Sequence, residues 1–316
     1  AEPFFKRHSS DVTVLSFITK RFGKEFHDKL IEPFLTGVYA GDTNKMSAKY
    51  TLKLLWELEQ NYGSVLLGLI KRKNKEIKSF NLPNGINELI SKVSKNIENN
   101  ILSNCQVLKI EKNKNSYKVI TDNHIFICEK IISAVPAYVL QKLIWDEQLI
   151  KVLQNVIYNP IDVFHYGLSK KHIHNLKKGF GILTKPSDNK NFLGILFSSQ
   201  IFEHVSSNDT ELYTVLVGGE RQKELCLKES KELNKIIFEE LKDLINYKGE
   251  ILFSNHYRWS KGIPQYNLNQ SSLIKEINKF ENLNQNFHIT GNFFNGISVS
   301  DCVKKAKIKA NLISND

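Results

Sequence analysis

Methionine is nearly missing from this sequence: Met46 is the only one in 316 residues, and position 1 is alanine. Unless the amino-terminus was processed, the expectation is that these residues belong to a longer translation product, as a fragment or as a split or decaying gene. Cysteine is sparse as well. Cys105, Cys128, Cys226 and Cys302 lie far apart with no CxxC pair, which excludes a zinc ribbon or disulfide framework and suits a reducing cytosol. No signal peptide or apolar run reaches the length needed to cross a bilayer, so only peripheral membrane contact is expected. GxGxxG occurs nowhere; Gly179-Phe180-Gly181 lacks the third glycine and a following acidic partner. The nine histidines show no metal spacing, and no nucleophile–base set stands out, so neither a metal nor a catalytic side chain is assigned. His172 and His174 would share one strand face, which reads as a surface pair. No aromatic-basic stripe or recognition helix points to nucleic acid.

What remains is a globular composition. Hydrophobic residues make up 41% and charged residues 24%, which separates the chain from disordered sequences. The net charge of +11 comes from lysines scattered through the chain, and this scatter reads as lysine drift. Anionic lipid or acidic small molecules could still exploit it.

Residues 11–76 read as helical, with Phe17, Ile18 and Phe22 and then Leu54, Leu55 and Leu58 at helical spacing. Between them Glu32–Asp42, "EPFLTGVYAGD", reads as a loop with exposed aromatics, and Lys71–Lys78 as a basic break. Asn84-Gly85 signals a turn into a helix whose apolar face is Ile86, Leu89, Ile90, Val93 and Ile97. Strands are expected at 106–111, 117–121 and 125–128. "KIISAVPAYVLQKLI" reads as a buried strand entering a helix with Pro136 at the first helical position. Further strands are expected at Val163–Gly167, Leu193–Ser198 and Tyr213–Val217, with a helix near 229–244. A last strand, "FHIT", meets a glycine loop and then a helix. Gly291 and Gly296 there permit close approach of a ligand to backbone, and a helix amino-terminus suits a pyrophosphate or a flavin carbonyl. An ordinary β–α turn has the same pattern.

"TGNFFNGISVSDCVKKA" resembles the closing flavin motif of the protoporphyrinogen oxidase family, within the flavin amine oxidase superfamily. Other stretches resemble that family in the right order: "FITKRFGKEFHDKLIEPFLTGVYAGDTNKMS", "LWELEQNYGSVLLGLI", "FNLPNGINELI", with Asn84 in place of a glycine, and "RWSKGIPQYNL". The resemblance covers essentially the whole chain, and the GVYAGD block is its most specific part. It implies a mixed α/β and α+β fold: an incomplete FAD/NAD(P)-binding domain of the flavin amine oxidase type, a mixed-sheet substrate domain and a helical membrane-facing subdomain. The expected boundaries are 1–76 (helical), 77–145 (flavin domain), 146–256 (substrate domain) and 257–316 (flavin domain). The family's amino-terminal βαβ unit and its propionate-side arginine have no counterpart here.

By the same resemblance the cofactor is FAD, flanked by Val107, Trp259, Asn292, Ile297, Ser298 and Val299. Val107 is equally a buried strand valine, and Trp259 a packing tryptophan. Ser133–Pro136 would pass close to the cofactor. A tetrapyrrole would lie between Phe34 and Gly37 on one side and Leu193, Gly194 and Phe197 on the other. The implied reaction is oxidation of protoporphyrinogen IX or coproporphyrinogen III by three successive hydride transfers to FAD, with oxygen as acceptor in haem biosynthesis. The rivals are amine oxidation and a tetrapyrrole- or membrane-binding remnant without flavin. An amino-terminal fragment acting in trans is an expected partner, and Phe4, Phe5 and Phe34 are candidates for a membrane surface. The expected location is the cytoplasm or the face of the inner membrane.

Overall fold

A computed structural model of the chain describes residues 2, 8–72 and 80–314. The amino-terminal part is helical. α1 (Val14–Phe22) starts at Thr13, whose hydroxyl accepts from Ser16 N–H, and stops at Gly23, where φ is 87°. The short α2 (Lys24–Phe26) runs through a π-turn (His27–Ile31) into α3 (Glu32–Tyr39). The π-turn immediately precedes Pro33, whose missing N–H breaks the α-ladder there. Most of the expected 32–42 loop is therefore helix, and the chain turns only at Ala40, in the left-handed region at φ 52°. α4 (Ala48–Thr51), α5 (Lys53–Tyr62) and α6 (Val65–Lys71) follow. Val14, Phe17, Ile18, Leu35, Met46 and Trp56 close the core of this part. Beneath it runs a buried charged network: Glu59 accepts from His8 and Arg21, and Glu2 pairs with Arg21 and Ser64.

α7 (Asn87–Lys95) has the expected apolar stripe, but the stripe faces outward: Ile86, Ile90, Val93 and Ile97 are all more than half exposed. The meander β1 (Val107–Lys112), β2 (Tyr117–Thr121) and β3 (Ile125–Cys128) comes next. β4 (Ile131–Ser133) pairs in parallel with β10 (Phe287–Ile289). Its Ile132 is half exposed, so the expected fully buried strand is covered on one face only. Pro136 is the N-cap, not the first helical residue, of α8 (Ala137–Leu143), with φ −58° and ψ 155°. α9 (Glu147–Gln154) completes this segment.

The largest sheet among the described residues runs β6 (Gly181–Leu183), β7 (Gly194–Phe197), β8 (Thr210–Gly218), β5 (Tyr158–Ser169), β9 (Ile251–Pro264), antiparallel throughout. α10 (Ser198–Ile201) is a single turn after β7. α11 (Ser230–Ile245) covers one face of the sheet, packing Leu233, Ile237 and Leu241 on Phe164, Tyr166, Tyr213 and Val215. His172 and His174 lie at a 3-10 turn and the loop after it, not on a strand. β9 runs unbroken through the expected boundary at 256/257. α12 (Gln270–Leu283), β10 and α13 (Val299–Ser314) end the fold. No residue of α13 is buried; Val303, Ile308 and Leu312 are as bare as the α7 stripe.

Candidate functional site

Two carbonyls at the end of α3 form a junction. Gln265 Nε2 donates to Tyr39 O (2.8 Å), while Asn159 Nδ2 (2.7 Å) and Glu220 N–H (2.9 Å) both donate to Ala40 O. A left-handed Ala40 frees that carbonyl from the helix, and three separate segments meet on the pair. Close packing is enforced by glycine: a Cβ on Gly219 would sit 2.9 Å from Ala40 O. Gly37 acts in the same way one turn earlier. A Cβ there would lie 2.5 Å from Leu183 Cδ2, and one on Gly194 would lie 3.0 Å from the same atom. The GVYAGD helix and the FLGILF strand therefore converge on Leu183, with Leu193, Ala40 and Ile161 packed behind.

The sheet face opposite α11 is the open one. Directly opposed pairs share a face, so Ile161 sits beside Trp259, Val163 beside Tyr257, His165 beside Asn255 and Gly167 beside Phe253. Phe253, Tyr257 and Trp259 are each about half exposed, and the Tyr257 and Trp259 rings pack 4.7 Å apart. At the centre His165 Nδ1 bonds Thr214 Oγ1 (3.0 Å), which bonds Ser198 Oγ (2.8 Å). Burial pulls the His165 pKa below its ordinary value, so the ring is neutral at pH 7. The strand residues on this face carry no carboxylate.

The closing loop, residues 290–298, is bound chiefly through its carbonyls. Tyr266 Oη donates to Asn292 O (2.8 Å) and accepts from Gly296 N–H (3.0 Å). Gln270 donates to Phe293 O (3.0 Å). The Lys305 ammonium donates to the carbonyls of Gly291, Phe294 and Gly296. Phe293 and Phe294 point into the core with Ile289, Leu273 and Ile277. Positive φ at Gly291, Asn295 and Gly296 makes this winding possible. Ser298 Oγ accepts from Asp301 N–H at the head of α13. A cavity of about 500 Å³ opens here, lined by Tyr39, Leu54, Trp56, Tyr266, Gly296 and Ile297. Burial raises the pKa of both tyrosine hydroxyls, so they stay protonated. Nearby, Ser133 O accepts from Thr290 N–H, and Tyr158 Oη, its pKa pushed up to about 12 by burial, accepts from Ala137 N–H. The loop residues fit the flavin end of a dinucleotide: within the described residues the N–H groups of residues 291–295, 297 and 298 donate no hydrogen bond, and the last two stand at the head of a sixteen-residue helix.

Of the residues expected from sequence, Asn292, Ile297, Ser298 and Val299 fall together on this loop. Val107 opens β1 and packs on the same cluster as Phe293. Trp259 lies on the open sheet face and makes no ring contact or hydrogen bond with the loop. Gly37, Leu193 and Gly194 meet at Leu183 and Ala40, and Phe34 is half exposed on α3. Phe197 does not join them. Strand alternation turns it to the α11 side, fully buried and edge-on to Tyr213. Phe4 and Phe5 lie outside the described residues. Gln265, Tyr266, Asn159, His165 and Lys305 were not anticipated; only the first two had a signal, the "IPQY" motif. His27, Asp28 and Glu32 offer ligand atoms within 4.8 Å of one another, but both His27 nitrogens are already bonded, to Asp28 and Thr43.

Among known proteins, the tobacco (Nicotiana tabacum) mitochondrial protoporphyrinogen oxidase is 28% identical, over 96% of this chain and 68% of its own length. The coproporphyrinogen III oxidase of Bacillus subtilis is 22% identical, over 94% of this chain and 66% of its own. A solved structure from Exiguobacterium sp., provisionally assigned as a protoporphyrinogen oxidase, superposes with a TM-score of 0.82 at 20% identity, covering 98% of this chain and 68% of that one. The sequence pattern of one family, described as flavin containing amine oxidoreductase, matches residues 1–314, and the chain belongs to that family.

Proposed function

We propose that this chain carries the substrate-side and flavin-side parts of an FAD-dependent porphyrinogen oxidase acting on protoporphyrinogen IX or coproporphyrinogen III, with oxygen as acceptor. The observation that carries the reading is the convergence of Gly37 and Gly194 on Leu183 beside an open, aromatic-lined, carboxylate-free sheet face. A flat ring needs such a surface to be held and shielded from water. Aromatic rings could receive an amine as well, so what favours the porphyrinogen reading over amine oxidation is the GVYAGD block together with the porphyrinogen-oxidising relatives. FAD, when bound, supplies the two-electron acceptor that oxygen regenerates. The protein's own part is positional. Neutral His165 presents no charge to the macrocycle, the aromatic row Phe253, Tyr257 and Trp259 gives it a wall, and the closing loop holds the flavin end through Asn292 and Ile297–Val299.

The bare faces of α7 and α13, and the unpaired edge of β4 among the described residues, support the further reading that a dinucleotide-binding βαβ segment packs there, in cis or in trans. No described helix is long and apolar enough to cross a membrane; a peripheral surface around half-exposed Phe34 and Val38 remains part of this proposal. The test is aerobic turnover of both porphyrinogens, followed by porphyrin fluorescence, with FAD and a dinucleotide-binding segment supplied. Flavin bound without porphyrin formed from either substrate would overturn the porphyrinogen reading.

A further inference from the structure

Lys305 lies two turns into α13, a helix with no fully buried residue, and its ammonium is partly buried. All three of its donors are used, on the carbonyls of Gly291, Phe294 and Gly296, and it stands 5.2 Å from the centre of the Phe294 ring. A trans peptide holds its C=O and the following N–H on opposite sides. Drawing the oxygens of residues 291, 294 and 296 onto one ammonium therefore turns the N–H groups of Asn292, Asn295 and Ile297 the other way. Within the described residues those three donate no hydrogen bond, and neither do the N–H groups of Gly291, Phe293, Phe294 and Ser298, so the loop presents a run of unengaged donors broken only at Gly296. Tyr266 and Gln270 fix the intervening carbonyls, of Asn292 and Phe293, inside the same loop. One cation thus sets the orientation of three peptides of the loop, 291–292, 294–295 and 296–297.

We infer that Lys305 is the positioning residue of the cofactor loop: by gathering three carbonyls it aims three backbone N–H donors at the acceptor edge of the flavin and places a positive charge behind them. This rests on the flavin reading of the loop. Both consequences point one way. The donors favour binding of an electron-rich, acceptor-bearing ring end, and the charge favours the more negative reduced form over the oxidised one.

The experiment compares the full chain with Lys305→Met, Lys305→Arg and Lys309→Met. Lys309 shares the helix and pairs with Glu281 at 2.6 Å, so its loss removes an equal charge without touching the loop. FAD affinity by fluorescence quenching, the midpoint potential of the bound flavin and the melting temperature are measured, with a dinucleotide-binding fragment added where affinity requires it. Lys305→Met is expected to weaken FAD by about tenfold or more and to lower the midpoint potential. Lys305→Arg, which keeps charge and donors, recovers most of both, and Lys309→Met changes neither. A lysine that only held the fold together would lower the melting temperature while leaving affinity and potential of the folded protein unmoved, and that result overturns the inference. Equal behaviour of Lys305→Met and wild type overturns it alone; a folded wild type that takes up no FAD overturns the cofactor reading and this inference with it.

Discussion

Tyr266→Phe removes a single oxygen from a side chain that is 2% exposed. That oxygen holds two backbone groups of the closing loop: it donates to Asn292 O at 2.8 Å and accepts from Gly296 N–H at 3.0 Å. Phenylalanine fills the same ring space, so packing is conserved and the effect isolates the hydrogen bonds. A buried group left without its partner costs about 1–3 kcal/mol, and two such groups next to a partly wetted loop give about 2–4 kcal/mol. The cost falls on the loop first. Lys305, Gln270 and the two buried phenylalanines still tether it, so the local opening equilibrium shifts more than the global one. Hydrogen exchange at Gly296 N–H should then quicken by about 30- to 1,000-fold, the factor that corresponds to that energy, with a smaller fall in melting temperature. FAD affinity should drop in parallel, because an open loop presents no fixed donors. Unchanged exchange at Gly296, with unchanged flavin affinity, would refute the reasoning that Tyr266 is the post on which the loop hangs.

Gly37→Leu would drive a side chain into Leu183 and so into the proposed ring slot; at least about tenfold lower kcat/KM for porphyrinogen is expected with circular dichroism unchanged, as measured by steady-state turnover. Glu59 gives an acid limb to stability. Burial alone would raise its pKa, but hydrogen bonds from His8 and the Arg21 charge hold it below its ordinary 4.5, so its contribution is present above that value and is lost as pH falls through the depressed one. Glu59→Gln should lower the melting temperature at pH 7 and flatten its fall on acidification, in a thermal scan across pH. Residues 1–316 alone should bind FAD about a hundredfold or more weaker than with a dinucleotide-binding fragment added, since the pyrophosphate contacts are charge-assisted; equal affinity by fluorescence quenching would count against this. Flotation with vesicles containing anionic lipid tests the membrane surface, and absence of binding with and without that lipid removes the idea.

Strand and helix positions were largely legible where periodicity was local. β2 and β3 fall where alternation placed them, and α1 follows Phe17, Ile18 and Phe22. Misreading began where a residue served a distant partner. Gly37 looks like a turn residue but is small because Leu183 of β6 lies against it, so a helix was read as a loop. Phe197 looks equivalent to Gly194 in a short apolar run, yet three residues of strand reverse its direction, and only the pairing with Tyr213 reveals which face is covered. The closing loop was legible as glycine followed by helix, but its organiser was not. A lysine inside a lysine-rich helix carries no local mark that distinguishes Lys305 from Lys304 or Lys307; its role exists only once the loop folds back over it.

Gln265 and Tyr266 are neighbours in sequence, and their side chains serve different places. One holds the Tyr39 carbonyl at the end of the GVYAGD helix, and the other holds two backbone groups of the closing loop. A shift of this short segment by a fraction of an ångström must disturb both hydrogen-bond sets at once. Under the proposed function, such a shift would link occupancy of one site to the geometry of the other. Thermodynamic linkage would then demand symmetry: whatever factor the proposed macrocycle added to the affinity for the cofactor, the cofactor would add to the affinity for the macrocycle.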